Sequence, residues 1–295
     1  MTTPFSTRKG IFPSPSTLGE GWGGAAALIL FLFFSLTISA QPAPQTTFQH
    51  PWYGKRIAYL GDSITDPRVL SKKDKWWTLL SQWLEATSYC YAISGRQWND
   101  IPRQVNALLS EHGQDVDGIL IFMGTNDYNS GTPLGRFYTL EEQPVVRGRN
   151  KQKYHEVQPR RVLCYNDTTY CGRINTALKA LKETFPTKQI VILTPIHRAT
   201  FVSGEFNVQP DETFPNRLGL FLDPYIDALK QVGSLWAVPV IDLHALSGLY
   251  PLMDEHAQYF SNAANDRLHP NDKGYERIAR TLYYQLLTLP CTFEE

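Results

Sequence analysis

Ser63 follows the apolar run Ile57-Ala58-Tyr59-Leu60 through the turn Gly61-Asp62, and of all side chains in this sequence it is the best placed to act as a nucleophile. An apolar run that leaves through Gly-Asp toward a helical pattern marks the crevice beyond the carboxyl ends of an open α/β sheet, where reactive groups are presented. A serine hydroxyl attacks poorly until a base removes its proton, and the base needs a third group to fix its tautomer. Asp266 and His269, in Asn265-Asp266-Arg267-Leu268-His269-Pro270, offer such a pair in a loop before a last helix that carries Tyr275, Ile278, Ala279, Leu282 and Leu286 on one face.

Two further polar turns leave apolar runs. Gly124-Thr125-Asn126-Asp127 follows Gly118 to Met123, and Ser94-Gly95-Arg96 follows Tyr89 to Ile93. Acyl transfer passes through a tetrahedral oxyanion whose donors must be fixed before charge develops. The Asn126 amide, the Gly95 N–H and the Ser63 N–H suit that task. Each has a plainer use as well: Ser63 as a helix cap, Asn126 and Asp62 as turn residues, Gly95 as a tight-turn glycine and Asp127 as a brace for its loop. Their joint occurrence favours the chemical use. Of the other histidines, His244 in Asp242-Leu243-His244 is the main competitor for the base, since it too stands at a strand exit. His269 is preferred because Asp266 beside it can orient the ring.

The order Gly-Asp-Ser, Ser-Gly, Gly-x-Asn-Asp and Asp-x-x-His-Pro resembles the SGNH hydrolases, also called GDSL esterases and lipases, over roughly residues 55 to 289. The family's four named residues fall on Ser63, Gly95, Asn126 and His269, with Asp266 as the third triad member. Ile64 stands where the eponymous motif has Leu, and Arg96 follows Gly95 where many relatives carry a smaller or acidic residue; neither touches the catalytic atoms. The resemblance implies a flavodoxin-like architecture and a serine esterase that needs no cofactor.

The elements that must position these residues alternate. Strands are expected at Arg56 to Leu60, Ser88 to Ile93, Gly118 to Met123, Gln189 to Leu193 and Val238 to Leu243, with amphipathic helical patterns between them. Apolar strands of this kind suit a parallel sheet covered on both faces. The class is therefore α/β, a three-layer α/β/α sandwich with a doubly wound parallel five-stranded sheet. Two connections, Tyr128 to Tyr170 and His197 to Leu218, exceed what crossovers require and are expected as loops walling the substrate cleft. The first is rich in Arg, Lys and aromatics, which suits either an acidic glycan or an ordinary solvated surface.

Residues 1–40 read as a secretory signal peptide preceded by an N-terminal extension. Arg8 and Lys9 supply the positive end, Ala25 to Phe34 the apolar core, and Ala40 the cleavage position. Residues 41–54 read as a linker and 55–295 as one hydrolase domain. Basic and acidic residues balance at 28 each, and loss of Arg8, Lys9 and Glu20 leaves a charge near −1, so nucleic acid is not an expected partner. Nor is a membrane, once the signal is removed. Cys164 and Cys171 are close enough in sequence to close a small disulfide loop, a pairing that spacing does not decide, while Cys90 reads as a buried thiol. Asp254-Glu255-His256 has no accompanying His or Cys cluster at ligand spacing, and no metal is expected. The expectation is a secreted or periplasmic ester hydrolase acting on a small-molecule or glycan ester, removing short acyl groups such as acetyl from a carbohydrate. A lipid-directed or general acyl esterase or thioesterase is the alternative, and an inactive carbohydrate-binding module is the alternative of another class.

Overall fold

The computed structural model describes residues 49–69, 74–289 and 293. The signal peptide and most of the linker therefore lie outside the described residues. Along the chain run β1 (Arg56–Gly61), α1 (Trp76–Trp83), β2 (Thr87–Cys90), α2 (Ile101–His112), β3 (Gly118–Phe122), α3 (Thr125–Asn129), β4 (Tyr138–Arg149), β5 (Gln152–Leu163) and α4 (Tyr170–Thr184). They are followed by β6 (Gln189–Leu193), β7 (Phe201–Val202), β8 (Val208–Gln209), α5 (Asp223–Trp236), β9 (Val240–Ile241), α6 (Leu243–Leu246), β10 (Phe260–Asn262), β11 (Asp266–Pro270) and α7 (Asp272–Leu286).

Five strands form one parallel sheet in the order β2-β1-β3-β6-β9. Because successive strand residues point to opposite faces, each central strand feeds two cores. Ala58, Leu60, Ile119, Ile121, Ile190 and Ile192 pack with α2, α4 and α5 on one side. Ile57, Tyr59, Leu120, Phe122, Val191 and Leu193 pack with α1 and α7 on the other. This is the three-layer, doubly wound architecture expected from the apolar runs. Chain order reverses between β1 and β3, so the crevice at their carboxyl ends is where such a sheet binds ligands.

Three expectations are corrected. The triad loop at Asp266 is a strand: β11 pairs antiparallel with β10 and with β7, in a small sheet ordered β10-β11-β7-β8. The connection from Tyr128 to Tyr170 is not wholly a loop: its middle is a long hairpin, β4 with β5, paired from Tyr138↔Leu163 to Arg149↔Gln152 and largely exposed, and only its two ends line a cavity, through Ser130, Thr132 and Asp167. Its base is pinned by Asn175 of α4, whose Nδ2 donates to the carbonyls of Phe137 and Cys164. The linker boundary also moves: Trp52 is fully buried, packed edge-on to Phe293, with its ring against Gly118, and His50 Nε2 lies 2.9 Å from the Tyr283 carbonyl. Cys90, Cys164 and Cys171 are free thiols, and Cys291 lies outside the described residues.

Candidate active site

Ser63 stands in the first turn beyond β1, and the backbone there is held tightly. A Cβ on Gly61 would stand 2.5 Å from the Phe122 carbonyl oxygen, so only glycine lets β1 leave so close to β3. Gln104 of α2, fully buried, clamps both polar groups of Gly61: its Oε1 accepts the Gly61 N–H at 2.9 Å and its Nε2 donates to the Gly61 carbonyl at 3.0 Å. Asp62 is the turn residue expected of it, accepting the Ile64 N–H on its carboxylate and the Thr65 and Asp66 N–H groups on its carbonyl.

The hydroxyl so placed lies 2.9 Å from His269 Nε2. On the other side of the ring, Nδ1 lies 3.0 and 3.1 Å from the two carboxylate oxygens of Asp266. Asp266 Oδ1 also accepts the Leu268 and His269 N–H groups, at 3.2 and 3.0 Å, which orients the carboxylate before any ligand arrives. Beyond the pair, Asn271 caps α7 by accepting from Lys273 and Gly274 N–H, so the chain leaves β11 at a fixed angle. Phe201 of β7 sets its ring edge-on to His269, with centroids 5.0 Å apart. Residues 206 positions apart thus meet in the hydrogen-bonded order that general-base activation of a serine needs.

Gly95 is exposed, with φ +75, a conformation for which glycine is the natural residue; nothing within 4 Å would obstruct a side chain, so the requirement is conformational. Asn126, in the short helix α3 after β3, donates through Nδ2 to the Arg96 carbonyl at 3.0 Å, which ties it to the turn that carries Gly95. Among the described residues neither the Ser63 nor the Gly95 N–H donates to a protein acceptor.

Side chains of which sequence alone singled out only Asp127 hold these three turns together. Asp66 accepts the Ser94 N–H at 2.7 Å, joining the nucleophile turn to the Gly95 turn. Asp127, fully buried, accepts the Trp98 N–H at 3.1 Å and pairs with Arg173 of α4 at 2.9 Å; Arg173 also reaches Gln97, whose Nε2 donates to the Asn126 carbonyl. Asp127 thus braces its loop, as expected. Burial holds the carboxyls of Asp62 and Asp127 above the usual range, up to about 7 and about 6 respectively. Lys75 and Arg198, both buried beside the turn, moderate the Asp62 shift. Burial in turn lowers Lys75 to about 8.

His244, the competing histidine, lies tilted against the ring of His197 rather than meeting Ser63. Two cavities adjoin segments that carry site residues. One, of about 450 Å³, is lined by Gln97, Asn99, Ser130, Thr132, Asp167 and Arg173 among others, and adjoins Asn126 through the bonds that Gln97 and Ser130 make to its carbonyl. The other, of about 270 Å³, includes Ala199, Thr200 and Arg267, beside the β7–β11 pairing.

A profile of the GDSL-like lipase/acylhydrolase family matches residues 59–277. Among solved structures, a protein from Lactobacillus plantarum is 25% identical with a TM-score of 0.59, over 79% of this chain and 97% of its own. A possible lipase from Chitinophaga pinensis is 20% identical with a TM-score of 0.57, over 78% of this chain and 97% of its own. No curated protein sequence matches the chain.

Proposed function

Because the chain belongs to the GDSL-like lipase/acylhydrolase family, the SGNH serine ester hydrolases, we propose that it removes short acyl groups, acetyl foremost, from a carbohydrate after export from the cytoplasm. In this reading His269 takes the Ser63 proton, Ser63 attacks the ester carbonyl, and Asp266 stabilises the imidazolium that forms. The Ser63 and Gly95 N–H groups and the Asn126 amide hold the oxyanion, the alcohol leaves with the proton from His269, and water then cleaves the acyl-enzyme by the same route.

The observation that carries the substrate class is the cavity beside Asn126. Gln97, Asn99, Ser130, Thr132, Asp167 and Arg173 give its wall hydroxyl, amide, carboxylate and guanidinium groups, the partners of a sugar's hydroxyls and not of an acyl chain. Export rests on residues 1–40, which lie outside the described residues; no helix among the described residues is long and apolar enough to cross a membrane. One observation favours a second reading, a longer-chain acyl esterase: Phe206, Phe214, Leu218 and Phe221 expose large apolar surfaces on the segment that also carries Phe201.

Nitrophenyl esters of increasing chain length, followed by acetate release from acetylated polysaccharides, separate the two. The expected result is a sharp acetate preference, with Ser63→Ala inactive on every ester while still folded. A preference for eight or more carbons would favour the second reading and overturn the first.

A further inference from the structure

We propose that His197, Glu212 and His244 form a binding site for a divalent transition metal of the zinc class, separate from the triad. One donor atom from each residue lies within 4.8 Å of the other two. The three come from different stretches of chain: His197 from the segment leaving β6, Glu212 from the segment after β8, and His244 from α6 just beyond β9. Two imidazoles and a carboxylate are donors that first-row divalent ions favour, and a set of three leaves a coordination position for water.

The local contacts are those of a cluster short of one common partner. The rings of His197 and His244 lie 3.6 Å apart, centroid to centroid, and His197 Nδ1 meets Glu212 Oε1. His244 Nδ1 is sealed from solvent and makes no well-formed hydrogen bond among the described residues, the Pro195 carbonyl being the backbone acceptor beside the ring. A buried ring nitrogen left in that state calls for an ion or a water. A plain hydrogen bond between His197 and Glu212 would account for that pair but would leave the His244 nitrogen as it is.

The donors are also held from behind, as metal ligands are. Glu212 Oε2 accepts the Arg198 N–H at 2.8 Å. The backbone N–H of His244 donates to Thr194 Oγ1 at 3.0 Å, which fixes the main chain beneath the ring, and that hydroxyl donates to Asp242 at 2.9 Å. Tyr250 stands edge-on to His197 at 5.1 Å and covers one flank. An ion at this point would join the exits of β6 and β9 to both ends of the β7–β8 hairpin, whose Phe201 lies against His269. It would act as a clip for the flank of the triad and would take no part in acyl transfer.

The test uses the full chain, stripped with a chelator and titrated with Zn²⁺ against a chromophoric competitor, with metal content measured in parallel. The wild-type chain should bind one Zn²⁺, with a melting temperature that rises as Zn²⁺ is added. Glu212→Gln and His244→Ala should each weaken binding by at least about 100-fold and abolish the thermal response, while Ser63→Ala keeps both. Co²⁺ in place of Zn²⁺ should give visible ligand-field absorption that His244→Ala lacks. Circular dichroism of the metal-free proteins checks the fold, and Glu212→Gln, which preserves side-chain size, carries the test if His244→Ala does not fold. Absence of stoichiometric Zn²⁺ from the wild-type chain, or undiminished binding by Glu212→Gln, overturns the site.

Discussion

The Asn126 amide carries two N–H donors, and the Arg96 carbonyl holds one of them at 3.0 Å. That bond fixes the side chain and leaves one donor for a developing oxyanion, so Asn126→Ala should lower kcat on the order of a hundredfold with little change in KM; a loss under about threefold in steady-state assays would remove Asn126 from that role. Asp62 makes a different kind of prediction. Burial pushes its carboxyl up to about 7, whereas in the unfolded chain it titrates near 4. Between those values the native state keeps a proton that the unfolded state has lost, so this residue's contribution to stability falls as pH rises from about 4 to about 7 and is constant above. Asp62→Asn retains an oxygen for the Ile64 N–H and cannot ionise. Melting curves across that range should therefore show the wild type losing ground to the variant as pH rises, and parallel profiles would refute the shift. Residues of this kind were legible because turn chemistry at a strand exit is local. Gln104, Asp66 and Arg173 were not, because what makes them matter is a partner 28 to 46 residues away.

β1, β3 and β6 of the main sheet were readable as apolar runs because both faces of each are covered, whereas the edge strand β2 exposes Thr87 and Ser88 and is marked mainly by the apolar residues that follow it. The strands outside that sheet carry no such signal. β11 reads Asp-Arg-Leu-His-Pro, and it is extended only because β10 and β7, from elsewhere in the chain, pair with it. The β4–β5 hairpin has no buried face to impose alternation, and its turn residues, Asn150 and Lys151, both take positive φ without the glycine that usually announces such a turn. Helix α2 shows how an element serves the site at one remove. Its Ile101, Val105 and Leu108 bury against the sheet, and that seating delivers Gln104 to Gly61. Gln104→Leu keeps the bulk but leaves the Gly61 N–H buried without its acceptor, while the Gly61 carbonyl keeps only the Ile93 N–H at 3.1 Å, which should cost about 1–3 kcal/mol. Urea unfolding should show a lower midpoint at unchanged slope, and a shift too small to measure would mean that water replaces the amide.

At the scale of the whole molecule, the boundary between folded body and preceding segment was set too late because Trp52 lies just ahead of the first strand. An aromatic four residues before a strand says nothing about its surroundings until the floor it covers, here Gly118, is known. The hairpin arm presents the converse case, a long stretch of regular structure that adds little to the core. Leu140, Val146 and Val157 are more than half exposed on it, and what anchors it is confined to its base, where Asn175 holds the Phe137 and Cys164 carbonyls and Tyr138 packs against the core. Two strands alone are marginally stable in water, so the arm depends on the body and the body should not depend on the arm. Thr139 and Val162 are direct partners, which allows residues 140–161 to be replaced by Asn-Gly in a two-residue turn that suits the strand twist. The shortened chain should melt within about 3 °C of the original and hydrolyse nitrophenyl acetate at an unchanged rate, since no core contact and no triad bond is removed. A fall of more than about 10 °C would mean that the arm is part of the folding unit. A selective loss on polymeric substrate, with the small ester unaffected, would instead assign its charged and aromatic surface to substrate capture.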